Sequence, residues 1–396
     1  MRSGPALDNL VATIAETCRS GLEPAALRAA VLPRLRRVVP VDAVWWALVD
    51  PATLLFTHAY REEIPAETGP YFVENEFLAE DVNKWTDLAH DRDGARTLIA
   101  ATAGDPSSSA RYRDIFEPLG LEDELRVVLR SRGSVWGFMC LHREQGAAFS
   151  AAELEFTQRI APHLAEGLRL GLLVQGLELA QTADSAGLVL LAADGSVIGT
   201  NTAADQWLDE LDTSRSGTIP IEVHALTAKL RSLDPSVGAP QVRVRTRAGR
   251  WAILQASWMP NQGHDTVAVI IQQAGADEVA PVVMSAYGLT GQEQKISGLV
   301  FHGLSTHAIS EKLHITQHTV QDHLKSIFEK TGVRSRRELV ATVLRQQYLP
   351  RAHEGHLPGP SGYFPNRGKA TTPDPLPRSG GTPRSSLTAP AMRSKQ

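Results

Sequence analysis

Five polar side chains share one face of a single predicted helix. In "ITQHTVQDHLKSIFEKTGV", Ile315 to Val333, the apolar residues Val320, Leu324, Ile327 and Phe328 fall at i, i+4, i+7 and i+8, the spacing of a helix face turned to a core. His318, Gln321, Asp322, Lys325 and Glu329 fall opposite, as a stripe of mixed charge that must meet either water or a partner. Bond-breaking chemistry has no comparable constellation in the sequence. There is no G-x-S-x-G, no H-E-x-x-H, no G-x-x-x-x-G-K-[ST] and no paired-carboxylate motif, so the chain is not expected to be an enzyme. His314 and His318 are four apart, but no Cys or carboxylate completes a metal set around them, so no metal and no cofactor are expected.

The elements around the stripe carry their own start and stop signals. Thr290 and Glu293 have capping-box spacing, and Gly303 ends the helix they open. Ser305 starts a short helix with Ile309 and Leu313, His314 and Ile315 make a tight turn, and Thr316 starts the striped helix, which Gly332 closes. Ser335 and Glu338 form a further capping box, and that last helix presents Leu339, Val340, Val343 and Leu344. A short helix, a tight turn and a longer striped helix make a helix-turn-helix.

Over about 60 residues this segment resembles the LuxR-type, or FixJ-type, DNA-binding domain. The matching residues are Leu289-Thr290, Glu293, Gly303-Leu304-Ser305, Ile309, Leu313, Ile315, Thr319-Val320, His323-Leu324, Ile327-Phe328, Lys330, Gly332-Val333 and Ser335. The resemblance implies that double-stranded DNA is the partner and that the striped helix enters the major groove. The base-contact candidates are then Gln321, Asp322, Lys325 and His318. Gln suits adenine, Lys suits guanine, and Asp accepts from cytosine. Thr306, Thr316, Thr319 and Lys330 are the phosphate candidates, which position without specifying. Val340, Val343 and Leu344 match the family's dimerisation helix, implying a homodimer on an inverted repeat. Three positions depart from the family pattern: Gln321 stands where a basic residue is usual, Asp322 where a neutral one is, and Gly291 where Pro is. Asp322 in a groove meets phosphate repulsion, which keeps open a second reading: a dimeric ligand- or protein-binding sensor whose helix-turn-helix has weak or no specific DNA affinity.

Upstream, "SAGLVLLAADGSVIGTNTAADQWLDEL" reads as strand, Asp-Gly turn, strand and a helix starting at Asn201, and three further strands follow to residue 274. Residues 180–274 are similar to a PAS domain. No Cys lies between 141 and 396, which excludes a flavin adduct; His224 is a candidate haem ligand or an ordinary His, solvent-facing or in the core. In residues 1–172, "VDAVWWALVD", "TLLFTHAY", "ELRVVLRSRG" and "SVWGFMCLHRE" read as strands, with a hairpin through Gly133. With "VWGFMCLHREQGAAFSAAEL", this region is similar to a GAF domain. Trp45, Trp46, Trp85, Trp136 and Phe138 either line a pocket for an unknown small-molecule effector or are core. Ser150 and Glu153 then cap a long helix whose Leu164, Leu168 and Leu172 either pack on their own domain or pair with a second copy.

The fold class expected is therefore multidomain: two α+β sensor domains, GAF-like and PAS-like, followed by an all-α four-helix helix-turn-helix domain at 285–350. The Pro-, Gly- and Ser-rich stretch 351–396 reads as a disordered basic tail. Charge is uneven. The net is −4, yet 285–350 has eight Lys or Arg against five Asp or Glu, and 351–396 seven against two, leaving −12 on the first 284 residues. An acidic body with a basic end suits a polyanionic partner at that end. Two cysteines, no signal-peptide pattern and no apolar run of about 18 residues point to a cytoplasmic bacterial regulator without a membrane partner.

Overall fold

The computed structural model describes residues 4–340 except 145, 147, 176–184, 212–218, 235–237 and 262–263; the expected tail and the dimerisation candidates Val343 and Leu344 lie outside the described residues. Among the described residues, no helix is long and apolar enough to cross a membrane.

Helices α1 (Gly4–Arg19) and α2 (Pro24–Leu35) precede β1 (Ala43–Val49) and β2 (Phe56–Glu62). The insert holds α3 (Gly69–Phe77), α4 (Trp85–His90), β3 (Ala95–Thr97) and the single turn α5 (Leu98–Ala101). β4 (Leu121–Ser131), β5 (Ser134–Glu144) and the long α6 (Ala151–Gln175) complete the region. The sheet is antiparallel in the order β2-β1-β5-β4-β3. At the β4–β5 turn Arg132 has φ +51° and Gly133 φ +78°, the two left-handed residues that a tight hairpin needs to match strand twist.

Successive strand residues point to opposite faces, and this divides the five aromatics between the two faces. Trp46 and Trp136 turn to the face covered by α1, α2 and α6, where they meet Ile14, Phe156 and Ile160. Trp45, Trp85 and Phe138 share the other face with Phe56 and Phe72. Trp85 stacks on Phe138 at 4.3 Å, and Trp45 lies 4.7 Å from Phe72, between ring centroids. The five aromatics therefore serve two cores. α6 starts as its capping box predicts: Ser150 N donates to Glu153 at 2.8 Å and Ser150 Oγ accepts from Glu153 N at 3.4 Å. Leu164 and Leu168 are buried against this chain's own sheet, and Leu172 is partly buried beside them.

The second region has β6 (Gly187–Leu191), β7 (Val197–Thr200), α7 (Thr202–Leu211), α8 (Ile221–Ser232), β8 (Gln241–Arg245), β9 (Trp251–Asn261) and β10 (His264–Gln273). Asp194 and Gly195 make the expected turn, with Asp194 Oδ1 accepting from Ser196 N at 2.9 Å. Asn201 Oδ1 accepts from Ala204 N at 2.8 Å and from Leu188 N at 3.0 Å, so one side chain caps α7 and ties it to β6. The order β7-β6-β10-β9-β8 repeats that of the first sheet, strand for strand. The two regions share a core: Phe72 and Val73 of α3 belong to the same apolar cluster as Val223 and Leu226 of α8. Arg243 adds a polar tie, donating to the buried Asp50 from Nη1 at 3.0 Å and from its backbone N at 3.1 Å, and from Nε to Glu278 O.

A helix between the two expected domains, α9 (Ala276–Ala286), joins the second region to the third. Val279 and Val282 pack on Trp251 and Ile253 of β9, and Arg169 of α6 donates to Ala286 O. The third region is all helical: α10 (Gly291–Phe301), α11 (Thr306–Leu313), α12 (Gln317–Thr331) and a helix over 336–340 that meets the end of the described residues. Its core gathers Leu289, Ile296, Val300, Ile309, Val320, Leu324, Ile327, Val333 and Leu339.

Candidate nucleic-acid interface

Each boundary of the helix-turn-helix is fixed by a residue suited to it. Thr290 Oγ accepts from Glu293 N at 3.3 Å while Glu293 accepts from Thr290 N at 2.7 Å, a reciprocal capping box. Ser305 Oγ caps α11 through Ala308 N at 3.2 Å. His314 takes the left-handed conformation at the turn, φ +54°. Thr316 Oγ accepts from Thr319 N at 3.1 Å to start α12, and Gly332, at φ +71°, ends it. Ser335 Oγ accepts from Glu338 N at 3.1 Å. Replacing Thr316 by alanine removes one such bond and should lower the stability of this domain by about 1 kcal/mol, read as a shift of its thermal midpoint. An unmoved midpoint would mean that water satisfies the Thr319 N–H equally well.

α12 divides as its periodicity requires. Val320, Leu324 and Ile327 are buried; His318, Gln321, Asp322, Lys325 and Glu329 are exposed. The base-contact candidates therefore stand together on one solvent-facing stripe. Asp322 does not stand alone there, since its Oδ2 lies 3.4 Å from His318 Nδ1, one turn away. Exposed pairs of this kind are weak. Thr316 is exposed at the start of α12; Thr306 and Thr319 are half-buried at the starts of α11 and α12.

Lys330, expected to reach a phosphate, is engaged within the domain. Its Nζ lies 2.9 and 2.7 Å from the two oxygens of Glu293, which also accepts from Ser326 Oγ at 2.7 Å. Burial pushes the Glu293 carboxyl up, but Lys330, Ser326 and Thr290 outweigh it and hold its pKa down to about 2. The Lys330 charge is thus largely answered by an acid from α10. Val340, the one dimerisation candidate among the described residues, is half-buried against the helical core.

The sequence reading missed a second group of polar residues, on the inner face of the first sheet. Arg111 donates to Glu124 from Nε at 3.1 Å and from Nη2 at 2.9 Å. Arg126 donates from Nε to Glu124 at 3.1 Å, and from Nη1 to Glu76 at 2.8 Å. Asp81 accepts from Arg111 N at 2.8 Å and from Asn75 at 2.8 Å. Arg111, Glu124 and Arg126 are all at 0% exposure. Burial alone would raise the Glu124 pKa; the two guanidiniums reverse that and hold it down to about 2. The available signal was the alternation in "ELRVVLR", which puts Glu124 and Arg126 on one face with Val128.

Among the described residues, the donor atoms of Glu124, Cys140 and His142 lie within 4.8 Å of one another. The surroundings of this group oppose a metal cation. Two guanidiniums already bracket the carboxylate, and burial together with the Glu124 charge pushes the Cys140 thiol well above its ordinary range. His224, the candidate haem ligand, is half-buried on α8, where burial and Arg231 lower its pKa to about 4.

Known proteins match in the same two places. Residues 288–343 match the family described as bacterial regulatory proteins, luxR family, and residues 8–168 match the GAF domain family. The chain thus joins a GAF domain to a luxR-family helix-turn-helix domain. A stretch of 53 residues is 45% identical to the monoamine regulon transcriptional regulator of Klebsiella aerogenes, covering 13% of this chain and 23% of that protein. The chain thus spans under a quarter of that relative's length. Among solved structures, the GAF domain of a phosphoenolpyruvate-protein phosphotransferase from Coxiella burnetii is 16% identical, over 41% of this chain and 92% of that one, with a TM-score of 0.28. Escherichia coli SdiA is 12% identical, over 86% and 97%, with a TM-score of 0.30. Both likenesses are distant.

Proposed function

We propose that this chain is a one-component bacterial transcription regulator, cytoplasmic and not an enzyme, that binds double-stranded DNA sequence-specifically as a homodimer. One observation carries the reading: α12 buries Val320, Leu324 and Ile327 and leaves Gln321, Asp322, Lys325 and His318 exposed on a single stripe. A helix of that form fits the major groove, where each base pair offers a distinct pattern of donors and acceptors. Thr306, Thr316 and Thr319 lie at helix starts, where hydroxyls and free N–H groups suit phosphates.

The GAF domain and the second sheet act as signal input. Residues 180–274 are read as PAS-like, supported by the sheet order β7-β6-β10-β9-β8 and by the Asn201 cap on α7. Val340, with Val343 and Leu344 beyond it, is read as the dimer seam. A signal that favours one arrangement of the input regions changes the spacing of two recognition helices, through the shared core and α9. An effector that binds both arrangements equally switches nothing.

A second reading, a dimeric sensor with weak DNA affinity, is favoured by the exposed Asp322 and by the internal pairing of Lys330. Salt separates the two. Real phosphate contacts release counterions, so retention on a duplex should fall at least about tenfold between about 50 and about 200 mM salt. Retention that is weak at low salt and indifferent to it would favour the sensor reading.

A further inference from the structure

The helix before the DNA-binding domain belongs to three cores at once. Val279 and Val282 of α9 pack on the second sheet, and Met284 lies in the core of the helix-turn-helix domain. Ala286, at 0% exposure, lies in the core between the first sheet and α1, α2 and α6. Ser285 Oγ also accepts from Gln294 Nε2 of α10 at 3.1 Å. A movement of α9 is therefore felt by α10 and the domain behind it.

Two buried arginines grip the backbone of α9, one near each end. Arg243 donates from Nε to Glu278 O in the first turn, and Arg169 from Nη1 to Ala286 O, the last carbonyl of the helix, which has no partner within the helix itself. Both guanidiniums are anchored on carboxylates of the first region. Asp50, just after β1, accepts from Arg243 Nη1 at 3.0 Å. Glu166 of α6 accepts from Arg169 Nε at 2.9 Å and Nη2 at 2.5 Å. Glu166 also takes Ser131 Oγ at 2.6 Å and lies 3.6 Å from Arg132 Nη2, so the β4–β5 turn joins this group. The Arg132 stem closes over the junction: a methyl group on Gly288, at φ +75°, would stand 3.1 Å from Arg132 Cδ.

The two ends are held unequally. The Asp50 side chain is sealed at 0% exposure, and Val279 and Val282 pack beside that end on Trp251 and Ile253. At the other end the Glu166 and Arg132 side chains are 24% and 50% exposed, so water competes for their bonds.

We propose that Glu166 and Arg169 form a releasable latch on the last turn of α9. Closed, it fixes the orientation of the DNA-binding domain against the first sheet; open, it lets that domain pivot about the first turn of α9. The first region then has a route to the DNA-binding domain that does not pass through the second sheet. This rests on the regulator reading and names the contact that a signal in the first region moves.

The test reads one within-chain distance in the full chain by pulsed electron spin resonance. Cys18 and Cys140 are buried, so nitroxides go to Glu155→Cys on α6 and Lys312→Cys on α11, both exposed positions. Excess unlabelled chain removes distances between copies. The labelled parent should give one sharp distance. Arg169→Met keeps a long side chain, removes the donor, and should replace that distance by a broad distribution. If Arg169→Met does not fold, Glu166→Gln, at a part-exposed position, decides by the same reading. Arg231→Ala, which removes a pair between the first and second regions at 4.0 Å, should leave the distance sharp. A sharp, unmoved distance in the latch variants overturns the proposal and assigns the hold to Val279 and Val282. A broad distance in the parent, or equal broadening in Arg231→Ala, overturns it as well. Retention on a mixed-sequence DNA duplex at low salt, read on the same samples, keeps the two readings apart. The stripe on α12 is already exposed with the latch closed, so retention should persist in Arg169→Met. Retention with a sharp distance in that variant removes the latch alone; a broadened distance with no retention by any of the proteins removes the DNA-binding reading and leaves the latch as a contact between domains.

Discussion

Glu124→Ala should destabilise the first domain by about 3–5 kcal/mol, because it leaves two buried guanidiniums facing each other without an anion. Arg111 and Arg126 reach the carboxylate at 2.9 and 3.1 Å, and all three side chains are excluded from water. Glu76 and Asp81 answer part of each charge from the far side, but neither can move into the gap, since Glu76 also holds Trp85 N at 2.7 Å and Asp81 holds Arg111 N. Glu124→Gln keeps an acceptor and should lose less. The pH dependence follows from the depressed pKa. The charge of Glu124 stabilises fully above its unfolded pKa of 4.5 and ceases to do so as pH falls to about 2. Wild type should therefore lose stability through that window more steeply than Glu124→Gln. Urea unfolding followed by tryptophan fluorescence measures both; a loss under about 1 kcal/mol in Glu124→Ala would mean that the network rearranges around the gap.

Arg243→Ala should cost about 3 kcal/mol and loosen the joint between the first and second regions. Asp50 is buried and accepts from the Arg243 side chain at 3.0 Å. Two backbone donors would remain to it, Ala52 N at 2.9 Å and residue 243 N at 3.1 Å, which keeps the loss below that of a fully orphaned charge. The same guanidinium also holds Glu278 O in α9, so one side chain ties the first sheet, the second sheet and the helix that leads to the DNA-binding domain. The expected signs are a lower unfolding midpoint and faster proteolysis near α9. Arg243→Lys restores a cation but not the two-pronged fork to Asp50 and Glu278 O, so it should recover the midpoint more than the protease resistance. Unchanged proteolysis in Arg243→Ala would assign the joint to the apolar contacts of α3 with α8.

The helix-turn-helix domain was legible because its determinants are local. Thr290, Ser305, Thr316 and Gly332 act on backbone groups within four residues, and the burial of Val320, Leu324 and Ile327 follows from spacing alone. The strands of the first region and the turn at Gly133 were legible for the same reason. α9 was not. Pro281 interrupts its sequence, and what makes it a helix is the burial of Val279 and Val282 on a sheet that precedes it. The buried ion network was hidden by distance: Arg126 meets Glu76 fifty residues away, and charged residues in a strand read as solvent-facing until a helix is known to cover them. The pairing of Lys330 with Glu293 spans 37 residues, so the acid beside this phosphate candidate was out of reach of local spacing. The division of Trp45 from Trp46 needed no structure, since adjacent strand residues always part.

The most direct measurement is the selection of genomic DNA fragments by the purified full chain, beside a Gln321→Ala, Lys325→Ala double variant. The wild type should enrich a short inverted repeat, and the variant should lose that enrichment while keeping salt-dependent retention, since the phosphate contacts are left in place. Enrichment of the same sequences by both proteins, or of none by either, would contradict sequence recognition by the stripe on α12.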